Sequence, residues 1–200
     1  MRLSIRPLSP ATHFLLSWSL ADIVGLPARQ RLVVALAGVA PDLDGLGLVV
    51  DLGARALHQP DPGWYGRAHH VLLHGLPGAL LIAGVAALAL PRGAGRWRAA
   101  AWAFVAVHLH LLCDLLGSAG PLRGQLWPIA YLSPLSAEPA WAWRGQWLLN
   151  GWQNLALSGA LLAWVGLRAL KLGRSPLEIL APRLHRVFVE RLRRAFARPG

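Results

Sequence analysis

The sequence predicts an all-α integral membrane protein: a helical bundle of about five apolar helices followed by a basic amphipathic helix at the C-terminus. Three observations carry this reading. Hydrophobic residues make up 55% of the 200 residues and charged residues only 14%, against roughly 25% charged in an average soluble domain. Mean hydropathy is +0.43. Several runs approach the ~20 apolar residues that a helix needs to cross a hydrocarbon core of about 30 Å. This composition excludes a disordered chain and argues against an ordinary soluble globule. The net charge of +11, from 20 Lys+Arg and nine Asp+Glu, does not by itself name a partner, because basic residues on an apolar chain also mark the flanks of membrane spans. With Cys113 the single cysteine, no internal disulfide staples the chain.

The elements follow in order along the chain. Residues 13–26 form a weak apolar segment that carries Asp22; Arg2 and Arg6 ahead of it imitate a signal peptide, but Asp22 interrupts the apolar region, so a retained helix is expected. Residues 31–50 form a second weak segment, broken by Pro41-Asp42-Leu43-Asp44-Gly45. Residues 71–90, with His74 the one ionisable group, residues 99–116, with His108, His110 and Asp114, and residues 147–170 are each of spanning length. Residues 1–174 are then the membrane-embedded unit and 175–200 a separate one. Ser175, Pro176 and Glu178 have the N-cap, N1 and N3 pattern of a capping box. Beyond it, Leu177, Leu180, Leu184, Phe188, Leu192 and Phe196 recur at helical spacing with arginines between them, which suits a helix lying on an anionic membrane surface. No nucleic-acid-binding motif accompanies the charge, so nucleic acid is not an expected partner.

Loop charges set the expected orientation. Arg29, Arg31, Arg92, Arg96, Arg98, Arg168, Lys171, Arg174 and the six arginines of the tail fall on one side; Arg2, Arg6, Arg55, Arg67, Arg123 and Arg144 fall on the other. The positive-inside rule puts the richer set, and the C-terminus with it, in the cytoplasm. Trp64, Trp141, Trp143 and Trp147 would then lie near the outer interface, and Trp97 and Trp102 near the inner one.

The residues that point to chemistry are His13, Asp42, Asp44, His69, His70, His74, His110 and Asp114, with His108 as a packing neighbour and His58 as an outlier in a loop. Ionisable groups in apolar helices are costly and usually face a cavity or a partner. His70/His74 and His110/Asp114 are each four apart, a spacing that puts both side chains on one helix face, within reach of one metal ion. Counted from the expected cytoplasmic ends, the polar residues of four segments lie about 17 to 24 Å along their helices, which predicts one cluster toward the extracytoplasmic side.

Imidazole and carboxylate together suit zinc, with iron or manganese as alternatives. The candidates outnumber the four ligands of one tetrahedral ion, so one ion or two could be held. Either His69 or His70 could ligate. Such a centre activates water and polarises an ester or phosphoryl oxygen, and Asp44 is the expected general base. Gly-rich phosphate loops, GxSxG and HExxH are absent, which leaves serine-nucleophile and zincin chemistry without support.

The ordered set Thr12-His13, Pro41-Asp42-Leu43-Asp44, His69-His70-Val71-Leu72-Leu73-His74 and His110-Leu111-Leu112-Cys113-Asp114, followed by Gly117-Ser118-Ala119-Gly120 and Leu126-Trp127-Pro128, resembles the bacterial inner-membrane metal-dependent hydrolases of the YdjM type. The resemblance spans roughly residues 10–130. It implies a multi-helical, membrane-bound hydrolase of the bacterial inner membrane with a distant likeness to zinc-dependent phospholipase C. It also implies metal-binding roles for His13, Asp42, His69, His74, His110 and Asp114, with Asp44 in or beside the coordination sphere. The chain has His69-His70 where the family commonly has His-Arg, which removes an expected anion contact.

The expected function is therefore hydrolysis, by metal-activated water, of an ester or phosphoester, with a lipid-derived substrate fitting the membrane setting and the bilayer itself as a partner. The alternative is a metal-binding membrane transporter or sensor without hydrolytic chemistry. A transporter needs polar residues on both sides of its site, and residues 82–90 contain none.

Overall fold

The structure, a computed structural model, describes residues 10–122 and 124–196. Arg2, Arg6, Arg123 and Arg198, used in the loop-charge argument, lie outside the described residues. The chain is mostly helical: α1 (Pro10–Ile23), α2 (Ala28–Ala37), a 3-10 segment (Ala40–Leu46), α3 (Gly47–Ala56), α4 (Trp64–Ala68), α5 (Leu76–Leu88), α6 (Ala94–Gly117), α7 (Trp152–Leu172), α8 (Leu177–Leu180) and α9 (Pro182–Phe196). Between α6 and α7, strand β1 (Ile129–Ala130) pairs antiparallel with β2 (Ala140–Trp141).

Among the described residues, α6 and α7 are long and apolar enough to cross a membrane. A third span results if α2 and Ala40–Ala56, bent by 43°, count as one. Beside these, α5 is a shorter apolar helix. Pro41 and Gly45 disrupt the second segment where the sequence places the break, because proline lacks the N–H that an α-helix needs and glycine adds backbone freedom.

Small side chains let the helices approach closely. Ala79, Ile82 and Ala86 of α5 join Ala103, Ala106 and Val107 of α6 in one buried cluster, and Trp18, Ala35 and Val165 tie α1, α2 and α7 in a second. At Gly38, just past α2, a Cβ would lie 1.8 Å from the Ser17 hydroxyl, so only glycine permits this approach to α1.

The bundle separates two kinds of polar group by end. At the end holding the α1–α2 turn, Asp22 pairs with Arg168 and, at 3.2 Å, with Arg174. Nearby, Arg31 donates to the Leu26 carbonyl at 2.6 Å and to Glu178 at 3.0 Å, while Arg98 reaches the Val24 carbonyl at 2.8 Å. These bonds satisfy acids buried among apolar helices. His13, His69, His74 and His110 gather with Asp44 and Asp114 at the opposite end, whereas His185 of α9 bonds Ser175 at 2.9 Å.

Three local expectations are corrected. Residues 71–90 are not one helix: α5 starts at Leu76, where Pro77 suits the first helical turn, and the stretch before it is a run of turns with His70 in the left-handed region (φ 64°). The His70/His74 pair therefore does not share a helix face. Residues 147–151 are likewise not helical. They fold back on the end of α6, with Trp147 N–H donating to Leu116 O at 2.9 Å and Ala119 N–H to Trp147 O at 3.1 Å. The tail is two helices, because Pro182 cannot continue α8 and instead opens α9. Ser175 does accept the Leu177 N–H at 3.2 Å, but Glu178 turns away from the capping box to Arg31.

Asp22→Ala is expected to leave Arg168 and Arg174 without their carboxylate and to cost about 2 kcal/mol, less than a fully buried pair because the arginines are partly exposed. Thermal unfolding of the detergent-solubilised protein should shift down by about 4–8 °C.

Candidate metal centre

Four segments supply the centre. α1 brings His13 in its first turn, and the 3-10 segment brings Asp42 and Asp44, made adjacent to the bundle end by the break after α2. The turns ahead of α5 bring His69, His70 and His74. The C-terminal half of α6 brings His110 and Asp114, which do share a helix face as their spacing predicts. His13, Asp44, His74, His110 and Asp114 are buried, and His74 is 0% exposed.

Asp44 fixes the arrangement. Its Oδ1 accepts from His69 Nδ1 at 2.9 Å; its Oδ2 accepts from His74 Nδ1 at 3.0 Å and from the Leu73 N–H at 3.2 Å. Because a carboxylate only accepts, the Nδ1 atoms carry protons, which turns the Nε2 atoms toward the centre. Gly38 does the same for His110, its carbonyl accepting the Nδ1–H at 2.8 Å. Burial lowers His74, but hydrogen bonds and charge from Asp114 and Asp44 outweigh it and raise the ring to about 9, so a metal ion there would take the place of a proton. The consequence is electrostatic. His74 Nε2 and His110 Nε2 lie 3.1 Å apart, and Asp114 Oδ2 lies 3.1 Å from the second and 3.5 Å from the first.

Two ring nitrogens and a carboxylate oxygen this close are held together by a shared proton or by a metal ion in its place. Two further residues close on the same point. His13 stacks on His110 with ring centroids 3.8 Å apart and sets Nε2 3.5 Å from Asp114 Oδ1, and Asp42 Oδ1 stands 3.8 Å from His110 Nε2. Asp42 Oδ2, Asp114 Oδ2 and His13 Nδ1 are buried without a hydrogen-bond partner, a costly condition that ligation would relieve at the carboxylate oxygens.

The histidines and aspartates fall into three overlapping groups whose ligand atoms lie within 4.8 Å of one another: His74/His110/Asp114, His13/Asp42/His110 and His69/His70/His74. His74 and His110 are each shared by two groups, so the donors form a continuous band. The structure thus brings together all eight residues singled out from sequence. His70 stacks on His74 at 4.1 Å and against Trp127 at 4.6 Å, with its Nδ1 buried and unpartnered. Burial, with His74 beside it, pushes the His70 ring down to about 2, which keeps it neutral and able to donate a lone pair. Both Asp44 oxygens are engaged, so Asp44 is occupied in orienting histidines rather than standing free as the base expected from sequence. His58 is remote in its loop, and His108 bonds to Phe104 O and Tyr131 OH at 2.8 and 2.9 Å.

Gln146 and Asp51, which no sequence pattern marks, hold the frame together with Asn154, which the sequence offers with Asn150, four residues before it, as a hydrogen-bonding residue near the outer end of the last apolar helix. Gln146 donates to Asp114 O at 3.0 Å, Leu115 O and Trp127 O and accepts the Trp127 N–H, stapling the end of α6 to the loop carrying Trp127. Asn154 donates to Gly117 O, Leu148 O and Leu149 O, and Asp51 accepts the first two N–H groups of α4 at 2.8 and 2.9 Å. The partners of Gln146 and Asp51 are backbone groups 13 to 32 residues away, so no local spacing announces them. A cleft of about 660 Å³ opens beside the centre, and His13, Asp42, His69, His70 and Asp114 contribute to its wall.

The fold and this cluster define a class: a membrane helical protein with buried His/Asp groups at one bundle end that could hold a metal ion. The YdjM inner membrane protein family model matches residues 8–184, and the chain belongs to that family, which places it in contact with a lipid bilayer. No curated protein and no solved structure matches the chain.

Asp44→Asn is expected to weaken metal binding 10- to 100-fold, the usual effect of losing a residue that orients a ligating histidine. A metal-competition titration checks this; unchanged affinity would mean that Asp44 does not position the ligands.

Proposed function

We propose that the chain is a multi-pass, metal-dependent hydrolase that cleaves an ester or phosphoester at the outer end of the bundle. The observation that carries the reading is the convergence of His74 Nε2 and His110 Nε2 with the Asp114 carboxylate, all three buried, with Asp114 also lining an open cleft. His74, His110 and Asp114, with His13 and Asp42, would hold a divalent ion, for which the nitrogen-rich donor set favours zinc over manganese or iron. His69 and His70 extend the set toward a second ion. Such an ion lowers the pKa of water to about 7 and polarises the bond under attack.

The chain's own residues do the rest. Asp44 and Gly38 O hold the tautomers of His74 and His110. Asp42, which lines the cleft and whose Oδ2 is unpartnered, would accept the proton that the attacking water loses. Ser118 donates to Asp114 Oδ1 at 3.3 Å and steadies that carboxylate. A transporter reading finds less support: beyond the centre the buried interior is lined by Ala79, Ile82, Ala86, Ala103 and Val107, which offer an ion no second coordination step. The loop charges support a cytoplasmic C-terminus and an extracytoplasmic site, as does the arginine-rich end opposite the centre.

Two measurements test this. Metal analysis of the purified wild type should give at least one equivalent of a divalent ion, and His74→Ala/Asp114→Ala should lose it; substoichiometric wild-type metal removes the basis for the proposal. For orientation, Arg92→Cys should resist a membrane-impermeant thiol reagent applied to intact cells, whereas ready labelling would reverse the topology.

A further inference from the structure

The cleft beside the centre has two chemically different parts. Histidine and aspartate contribute one; Leu46, Leu48, Val49 and Leu149 contribute the other. The first three belong to the end of the 3-10 segment and the start of α3, the lower half of the bent element that counts as a broken span or re-entrant loop. Leu46 and Val49 are 57% and 66% exposed, and Val50 and Leu52 continue the apolar surface along α3, whose one buried residue is Asp51. A water-filled active site for a soluble substrate has no use for such a lip. An apolar wall running from bilayer-facing helix to buried ligands is instead what an acyl or alkyl chain needs to stay covered while its headgroup reaches the centre.

Charge narrows the headgroup. Asp42, Asp44 and Asp114 bring three negative charges to the centre, one more than a single divalent ion carries and one fewer than two ions carry. With one ion the site keeps a net charge of −1 and with two it gains only +1. Among the described residues the cleft lining holds neither lysine nor arginine. A dianionic phosphomonoester would therefore meet repulsion or barely half-neutralisation, whereas a group with one charge or none would not.

Resting on the hydrolase reading, we propose that the substrate is a membrane-resident amphiphilic ester with at most one negative charge at the scissile group, its chain lying along Leu46, Leu48 and Val49. The test is calorimetric titration of the full-length, metal-loaded protein in phosphatidylcholine nanodiscs. The probes are dodecyl methylphosphonate, with one charge, the α,α-difluoroalkylphosphonate of equal chain length, with two, and ethyl methylphosphonate, with one charge and no chain to cover. The singly charged dodecyl probe should bind at least tenfold more tightly than the doubly charged one. In Leu48→Ser/Val49→Ser its affinity should fall about fivefold or more, with metal content and ethyl-probe affinity unchanged; because host lipid and probe stay the same, partition into the bilayer cancels. Equal or tighter binding of the dianion, undiminished dodecyl binding in the variant, or no probe binding by metal-loaded protein would each overturn the proposal. Failure of the hydrolase reading looks different: the protein then takes up no metal at all.

Discussion

The contact on which the rest of this structure depends is the meeting of two imidazole Nε2 atoms at 3.1 Å inside an apolar bundle. Neither ring chose its tautomer. Asp44 takes the Nδ1–H of His74 and the Gly38 carbonyl takes that of His110, so the Nε2 atoms are driven inward at each other and at Asp114. A shared proton, or a metal ion in its place, holds the three groups together. The break after α2, the turns before α5 and the glycine at position 38 all serve to bring these three groups to one point.

Polar groups in a membrane bundle must be satisfied internally or set to work, and nearly every acid here has a visible task. Asp22 and Glu178 neutralise buried or half-buried arginines at one end. Asp51 accepts the leading N–H groups of α4, and Asp61 pairs with Arg55 in the following loop. Asp42, Asp44 and Asp114 serve the centre. The positive charge left over then lies mainly at the end opposite the histidines and in α9. It reads as membrane orientation and surface attachment rather than as a nucleic-acid footprint.

Much of this was legible from residue order. The break at Pro41–Gly45, the shared face of His110 and Asp114, and the gathering of four segments at one level follow from proline chemistry, helical periodicity and rise per residue. The segment 71–90 misled because its apolar composition suits a helix, while the donors it carries are recruited by Asp44, a residue 29 positions from Leu73. The tail misled for a simpler reason: Pro182 outweighs a helical pattern that runs through it.

By itself the sequence determined the membrane class, the kinds of ligand, and the family pattern, because hydropathy and residue chemistry are local properties. Only the tertiary structure decided which nitrogen of each histidine faces the centre, and that Asp44 orients rather than stands free. It alone showed that the polar cleft continues into an apolar wall at α3. Those outcomes depend on hydrogen bonds and packing between segments far apart in the chain, which no spacing within one segment encodes.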